Sequence, residues 1–300
     1  MATKLKARPP EEVKPGHCKG LLFGESGVGK TWFALSFPRP FYIDTEGGAD
    51  LGHYMKRLKQ SGGGYLGPND GACDFDVILD QIRALATEQH EYQTLVIDSA
   101  TKVFQSAIAK EAERLGDKDA FGASKKPAVG RMRQVASWVD RLDMNVWFIA
   151  HEVPKWVGEG RDRAQAGMQP DIWDKLIYEL DLTLWLRKHG KGMRSATVYK
   201  TRLEGFPDGD RFLLQENNID LGFAEFARRY GGEAINATVT PIVLATEEQL
   251  AEITRLLSVI KVPEKDIEGM LNKAGVETWA DLETSAAAKA ITFFRKQVPQ

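Results

Sequence analysis

Eight consecutive residues, Gly24-Glu25-Ser26-Gly27-Val28-Gly29-Lys30-Thr31, have the types and spacing of a phosphate cradle, G-x-x-x-x-G-K-[ST]. Gly24, Gly27 and Gly29 let the backbone curl so that successive N–H groups point inward at phosphate oxygens. Lys30 is placed to reach the β- and γ-phosphates of a nucleotide, and Thr31 to offer its hydroxyl to Mg²⁺. A second candidate is Asp98, at the end of the apolar run Thr94-Leu95-Val96-Ile97. An acid there orders Mg²⁺ and its water. A third is Glu46, just past the run Phe41-Tyr42-Ile43-Asp44. Parallel sheets keep their active sites beyond the carboxyl ends of buried strands.

These residues need elements to hold them. Residues 18–23 read as a short buried strand and 31–37 as a helix that stops before Pro38. Residues 41–44, 93–98 and 145–150 read as further strands, the last ending at His151. Val77, Ile78, Ile82, Leu85 and Ala86 fall on one helical face. Val103, Phe104, Ala107 and Ile108 fall on another, whose first turn Ser99 is placed to cap. The stretch 61–70 is rich in glycine and reads as a loop. Two basic segments are also expected to be loops. Residues 116–130 carry Lys118, Lys125 and Lys126, with Arg131 and Arg133 opening the helix that follows; residues 152–169 carry Lys155, Trp156, Arg161 and Arg163. Residues 182–186 and 196–199 form an expected strand pair with a basic tip at 187–194. Lys200 and Arg202 alternate around Thr201, so on a strand both leave one face as a cationic fork suited to a γ-phosphate; a solvated strand-end pair or a DNA contact is the alternative.

The 300 residues suffice for one large α/β domain and a small appendage, and the net charge of −2 argues neither for nor against nucleic acid. Two cysteines, Cys18 and Cys73, make no disulfide framework, and five scattered histidines show no metal-ligand spacing. No secretory leader and no membrane-spanning run is read, so a cytoplasmic compartment is expected. Residues 1–16 read as a flexible tail, 17–240 as the ATPase core and 241–300 as a three-helix module. That module opens with a capping box, Thr246-Glu247-Glu248-Gln249, and its second helix lies between Pro263 and Gly275.

The order of these motifs, with Asp44-Thr45-Glu46, Val96-Ile97-Asp98-Ser99, His151 and Lys200-Thr201-Arg202, resembles the RecA-like ATPase core shared with RadA and the DnaB-type helicases. The stretch from Phe37 to Gly48 looks most like the compact RecA-like proteins of phages, among them single-strand annealing proteins of the Sak type. The resemblance covers roughly residues 17–235. It implies an α/β fold with a mainly parallel central sheet flanked by helices, and ATP and Mg²⁺ as cofactors. It also implies an oligomer, ring or filament, with ATP at the protomer interface. By resemblance Glu46 activates the attacking water, a helix-capping acid being the alternative, and Lys200 and Arg202 act on a neighbour's ATP. His151 stands where this family carries a γ-phosphate sensor, usually glutamine. The segments 116–130 and 152–169 stand where the family's DNA-contacting loops lie. Their cations, with Arg131 just beyond the first segment, suit phosphates and Trp156 suits base stacking, against the alternative of solvated charged loops.

The expectation is therefore a DNA-dependent ATPase of phage type acting on single-stranded DNA in recombination, annealing or repair, in the cytoplasm of the host cell. A single-strand-binding protein is a candidate partner. A hexameric helicase-like motor or loader, a small-molecule phosphate-loop kinase and a nucleotide-gated scaffold are the alternatives.

Overall fold

A computed structural model describes residues 16–48, 52–119, 122–158 and 162–298. The expected tail, apart from Gly16, lies outside the described residues, as does Arg161.

In chain order the elements are β1 (Lys19–Gly24), α1 (Lys30–Ala34), β2 (Pro40–Asp44), α2 (His53–Ser61), β3 (Gly64–Leu66), α3 (Phe75–Thr87), β4 (Thr94–Asp98), α4 (Ala100–Leu115), α5 (Lys125–Arg141) and β5 (Asn145–Ala150). Then come β6 (Glu152–Val157), β7 (Ala164–Pro170), α6 (Leu176–Glu179), β8 (Leu182–Lys188), β9 (Arg194–Thr201), β10 (Arg211–Glu216), β11 (Ile219–Asp220), α7 (Gly222–Tyr230) and α8 (Gly232–Ile235). Helices α9 (Glu247–Ile260), α10 (Glu264–Ala274) and α11 (Thr284–Arg295) end the described chain.

Nine strands form one sheet in the order β11-β10-β9-β8-β1-β5-β4-β2-β3. From β8 to β3 every neighbouring pair is parallel, while β9, β10 and β11 add antiparallel strands beyond β8. The parallel strands are apolar on both faces, as a sheet covered on both sides requires. Leu95 and Ile97 of β4 join the core under α3, α4 and α5, whereas Val96 joins the opposite core under α1 and α7. That second core is aromatic: Phe33, Phe37, Trp147 and Phe226 pack edge to face. The expected α/β fold, with a mainly parallel sheet between helical layers, is the one observed. Strand β5 lies between β1 and β4, so the ends of β1, β5, β4 and β2 stand side by side at one edge.

Three regions depart from expectation. Helix α5 begins at Lys125, ahead of Arg131, because Ala128 continues the buried stripe of Met132, Val135 and Val139 by one turn. Pro127 is tolerated there, since the first helical turn has no intrahelical N–H bond to lose. Residues 152–157 and 164–170 pair as antiparallel strands, β6 and β7, where a loop is expected, and 64–66 add an edge strand to β2. The segment from Arg211 to Tyr230, on which the sequence reading is silent, supplies two strands and the helix that covers the aromatic core.

Helices α9, α10 and α11 enclose a small core of their own around Ile253, Leu256, Ala287, Ile291 and Phe294. Thr246 and Gln249 exchange the two hydrogen bonds of a capping box, and Gly275 ends α10 in the left-handed region. These helices rest on α3 and α5 through the ion pair of Arg83 with Asp281 at 2.9 Å and the Ser137 hydroxyl, which donates to Gly275 O at 2.6 Å.

Candidate nucleotide site

Strand β1 carries the phosphate loop to the carboxyl edge of the sheet. Gly24, Gly27 and Gly29 all have positive φ, at 147°, 67° and 99°. At Gly24 space demands glycine as well, because a Cβ there would stand 2.3 Å from the carbonyl oxygen of Leu186 in β8. Lys30 bends back over the loop, its Nζ donating to Gly24 O at 2.7 Å and Glu25 O at 3.0 Å. Burial lowers the Lys30 pKa, against the pull of Asp98, Glu152 and Glu46. The loop forms one wall of a cleft of about 610 Å³, whose other walls include Tyr42, Asp44, Glu46, Tyr54, Asp98, His151 and Glu152. A small-molecule ligand fits a cleft of this size.

Thr31 and Asp98 meet across this cleft. The Thr31 hydroxyl donates to Asp98 Oδ2 at 2.6 Å, and the Tyr42 hydroxyl donates to the same oxygen at 3.3 Å. Burial, reinforced by Glu46 and Asp44 and opposed by the Thr31 hydrogen bond and Lys30, pushes the Asp98 pKa up to about 6. Among the described residues no group of three or more His, Cys, Asp or Glu side chains is arranged to hold a metal ion. A hydroxyl beside a buried carboxylate nevertheless suits Mg²⁺, a hard cation that takes few protein oxygens and completes its shell with phosphate and water. Thr31 and Asp98 are the residues that fit it.

The raised pKa carries a stability consequence. Asp98 is protonated in both folded and unfolded chains below about pH 4, so its ionisation costs the fold nothing there. As pH rises from about 4 to about 6 the unfolded chain ionises while Asp98 in the fold stays protonated, and stability is lost until the folded group ionises as well. Without ligand or metal, Asp98→Asn should therefore stabilise the protein by up to about 3 kcal/mol at pH 7.5 and by little near pH 4. Denaturant melts at the two pH values check it; an equal change at both would place the cause elsewhere.

Glu46 is held from two sides. The Ser99 hydroxyl donates to Glu46 Oε1 at 2.7 Å, and His151 Nε2 lies 2.8 Å from the same oxygen. Ser99 also caps α4, accepting from the Lys102 N–H at 3.3 Å. The turn that presents Glu46 is organised by Asp44, whose Oδ1 accepts from the N–H groups of Glu46 and Gly48. Four strand ends thus bring Lys30, Thr31, Glu46, Asp98 and His151 into one cleft.

The other sequence candidates fall elsewhere. Lys125 and Lys126 are exposed at the start of α5. Arg131 pairs with Asp76 at 2.8 Å and Glu111 at 3.2 Å, tying α5 to α3 and α4. Lys155, Trp156 and Arg163 lie on the β6–β7 hairpin, with Trp156 50% exposed and the Arg163 guanidinium 4.9 Å from its ring centre. Lys200 and Arg202 are not in the cleft. Strand β9 runs antiparallel to β8, so its end lies at the edge of the sheet opposite the phosphate loop. There Lys200 Nζ donates to Leu180 O and the Arg202 guanidinium to Tyr178 O.

Tyr42, Tyr54 and Glu152 are cleft residues that sequence reading passed over. Glu152 accepts from Trp185 Nε1 at 3.0 Å. Tyr42 had a signal, since its position in β2 places it beside Val96 of β4; Tyr54 had none.

A phosphate loop on a parallel sheet, with a threonine–aspartate pair beside it, defines a P-loop ATPase-type domain. The AAA_24 family model, described as an AAA domain, matches residues 17–212, and the chain belongs to that family. No curated protein matches the sequence. Among solved structures, that of the RadB recombinase is similar at 18% identity and a TM-score of 0.42, over 68% of this chain and 90% of that one. Among the described residues no helix is long and apolar enough to cross a membrane.

Proposed function

We propose that the protein is a RecA-like ATPase that binds ATP with Mg²⁺ and hydrolyses it in response to single-stranded DNA, serving recombination, annealing or repair of phage type. One observation carries this reading. Strand β5 ends at Ala150, His151 after it contacts Glu46, and the chain continues at once into β6, which bears Lys155 and the exposed Trp156. The phosphate cleft and an aromatic, cationic arm thus share one length of chain. Two strands paired only with each other are marginally stable, so β6–β7 is an arm that a ligand can order. Lys155, Arg161 and Arg163 neutralise phosphates and Trp156 receives a base, while Lys125 and Lys126 extend the cationic surface. Bound nucleotide favours the DNA-gripping arrangement and hydrolysis releases it.

The test is ATP turnover with and without single-stranded DNA. Stimulation is the expected result, and equal rates across saturating DNA would overturn the reading. Trp156→Ala should weaken DNA binding by about 1–3 kcal/mol if the ring stacks on a base. Neutralising Lys125, Lys126, Lys155, Arg161 and Arg163 together should flatten the salt dependence of binding. An unchanged salt slope would move the DNA surface away from these segments.

A kinase reading has one observation in its favour, the approach of Lys188 to the phosphate loop, where its Nζ donates to Ser26 O at 2.7 Å. Phosphate release without an added acceptor sets that reading aside. Residues 241–300 form, in this proposal, a separable module that recruits a partner, a single-strand-binding protein being one candidate.

A further inference from the structure

We propose that Lys188 and Arg194, the two residues flanking the β8–β9 turn, clamp the phosphates of the nucleotide from within the same subunit. The inference rests on the nucleotide reading of the loop and goes beyond it, because neither residue belongs to the loop motif.

Topology supplies the first step. Strand β8 pairs in parallel with β1, so its end and the turn that follows lie at the edge where the phosphate loop lies. The turn is sharply built, with Gly190, Lys191 and Gly192 all at positive φ and the His189 ring 2.7 Å from the Ser195 hydroxyl. Lys188 and Arg194 are therefore held in place.

Their surroundings supply the second step. Lys188 Nζ donates to Ser26 O at 2.7 Å and stands 4.0 Å from Glu25 Oε2. Its charge is felt by Lys30, whose pKa it helps to lower. Arg194 reaches the other side of the loop, where its Nη1 would lie 2.9 Å from a Cβ placed on Gly29. The Arg194 side chain is half-buried and has no hydrogen bond or ion pair among the described residues. Lys188 and Arg194 are also direct cross-strand partners in the register. Like charges facing each other across a ladder destabilise it. Glu25 offsets Lys188 only in part, so two cations held opposite one another, on either side of backbone N–H groups shaped for an anion, leave a place for further negative charge. A polyphosphate supplies it, and the planar guanidinium of Arg194 can take two phosphate oxygens at once.

The experiment measures binding of a fluorescent ATP analogue to the full chain, wild type and variants, with circular dichroism to confirm folding. The double variant Lys188→Ala/Arg194→Ala should bind at least about tenfold more weakly, and Arg194→Lys alone should keep part of the affinity. If the wild type binds the analogue and the double variant binds it within about twofold, the clamp is overturned while the nucleotide reading stands. If the wild type does not bind, the nucleotide reading falls and takes the clamp with it. Hydrogen exchange on the wild type gives a readout that needs no foldable variant: ATP should slow exchange across residues 188–194, and unchanged exchange there would overturn the clamp. Mixing separates this clamp from one supplied by a neighbour. Because Arg194 and Lys30 serve one subunit's site, mixed Arg194→Ala and Lys30→Ala chains should show no recovered turnover, and recovery would place Arg194 on the neighbouring subunit's nucleotide.

Discussion

Glu46→Gln is expected to bind ATP as well as the wild type and to hydrolyse it about 10²–10⁴-fold more slowly, the range lost with a positioned general base. The contacts that would hold the nucleotide do not pass through this carboxylate: Lys30 and the loop grip phosphate, and Thr31 with Asp98 fits the cation. Glutamine keeps the size of the side chain and an oxygen for the Ser99 hydroxyl, which lies 2.7 Å from Glu46 Oε1. It cannot take a proton from water. His151 Nε2, 2.8 Å from the same oxygen, fixes the direction in which the carboxylate faces the cleft. Lys30→Ala is the contrasting variant, expected to weaken ATP binding and to slow turnover by about 10²–10³-fold through loss of a cation at the phosphates. Titration calorimetry beside steady-state rates separates the two. If Glu46→Gln loses binding as well, the glutamate is a structural support of the Asp44 turn and the base is another group.

The two variants concern the part of the molecule that was most legible in the sequence, and the reason is locality. Gly24 to Thr31 must bend, donate N–H groups and start a helix within eight residues, so the residue types report the geometry directly. The same holds for Thr246, Gln249 and Gly275, whose capping hydrogen bonds span a few residues each. The β6–β7 hairpin was illegible because Pro154 and Gly167 break the pattern of a strand, and its faces pack on little that would impose alternation. The ion pair of Arg131 leaves no trace in the sequence because its partner Asp76 is 55 residues away. Lys188 read as a hairpin-tip charge because only the pairing of β8 with β1 brings it to Ser26. In each case the missing fact is which distant strand or helix is the neighbour, and periodicity carries no record of that.

Strand direction decides where Lys200 and Arg202 can act, and it yields the largest expected effect. These residues close β9 at the sheet edge opposite their own phosphate loop, so any role at ATP has to be played in a neighbouring subunit. Both donate to carbonyl groups at the end of α6, Lys200 to Leu180 and Arg202 to Tyr178, which sets the two cations side by side. Burial above all, and after it the neighbouring Arg202, lower the Lys200 pKa against the pull of Asp181 and Glu179. A pair so placed suits the charge that spreads over γ-phosphate oxygens during transfer, and a cation supplied from outside the subunit is worth about 10³–10⁵-fold in rate. Arg202→Ala should accordingly be almost inactive while still binding ATP. Lys30→Ala should be inactive for its own reason. Mixed in equal amounts, about a quarter of head-to-tail interfaces would join an intact loop from the first variant to an intact fork from the second, and turnover should return in proportion. Exchange of subunits is verified by labelling the two variants with a donor and an acceptor dye. Energy transfer without any returning activity, at every mixing ratio, would mean that the fork does not act on a neighbour's ATP and that its cations serve α6 alone.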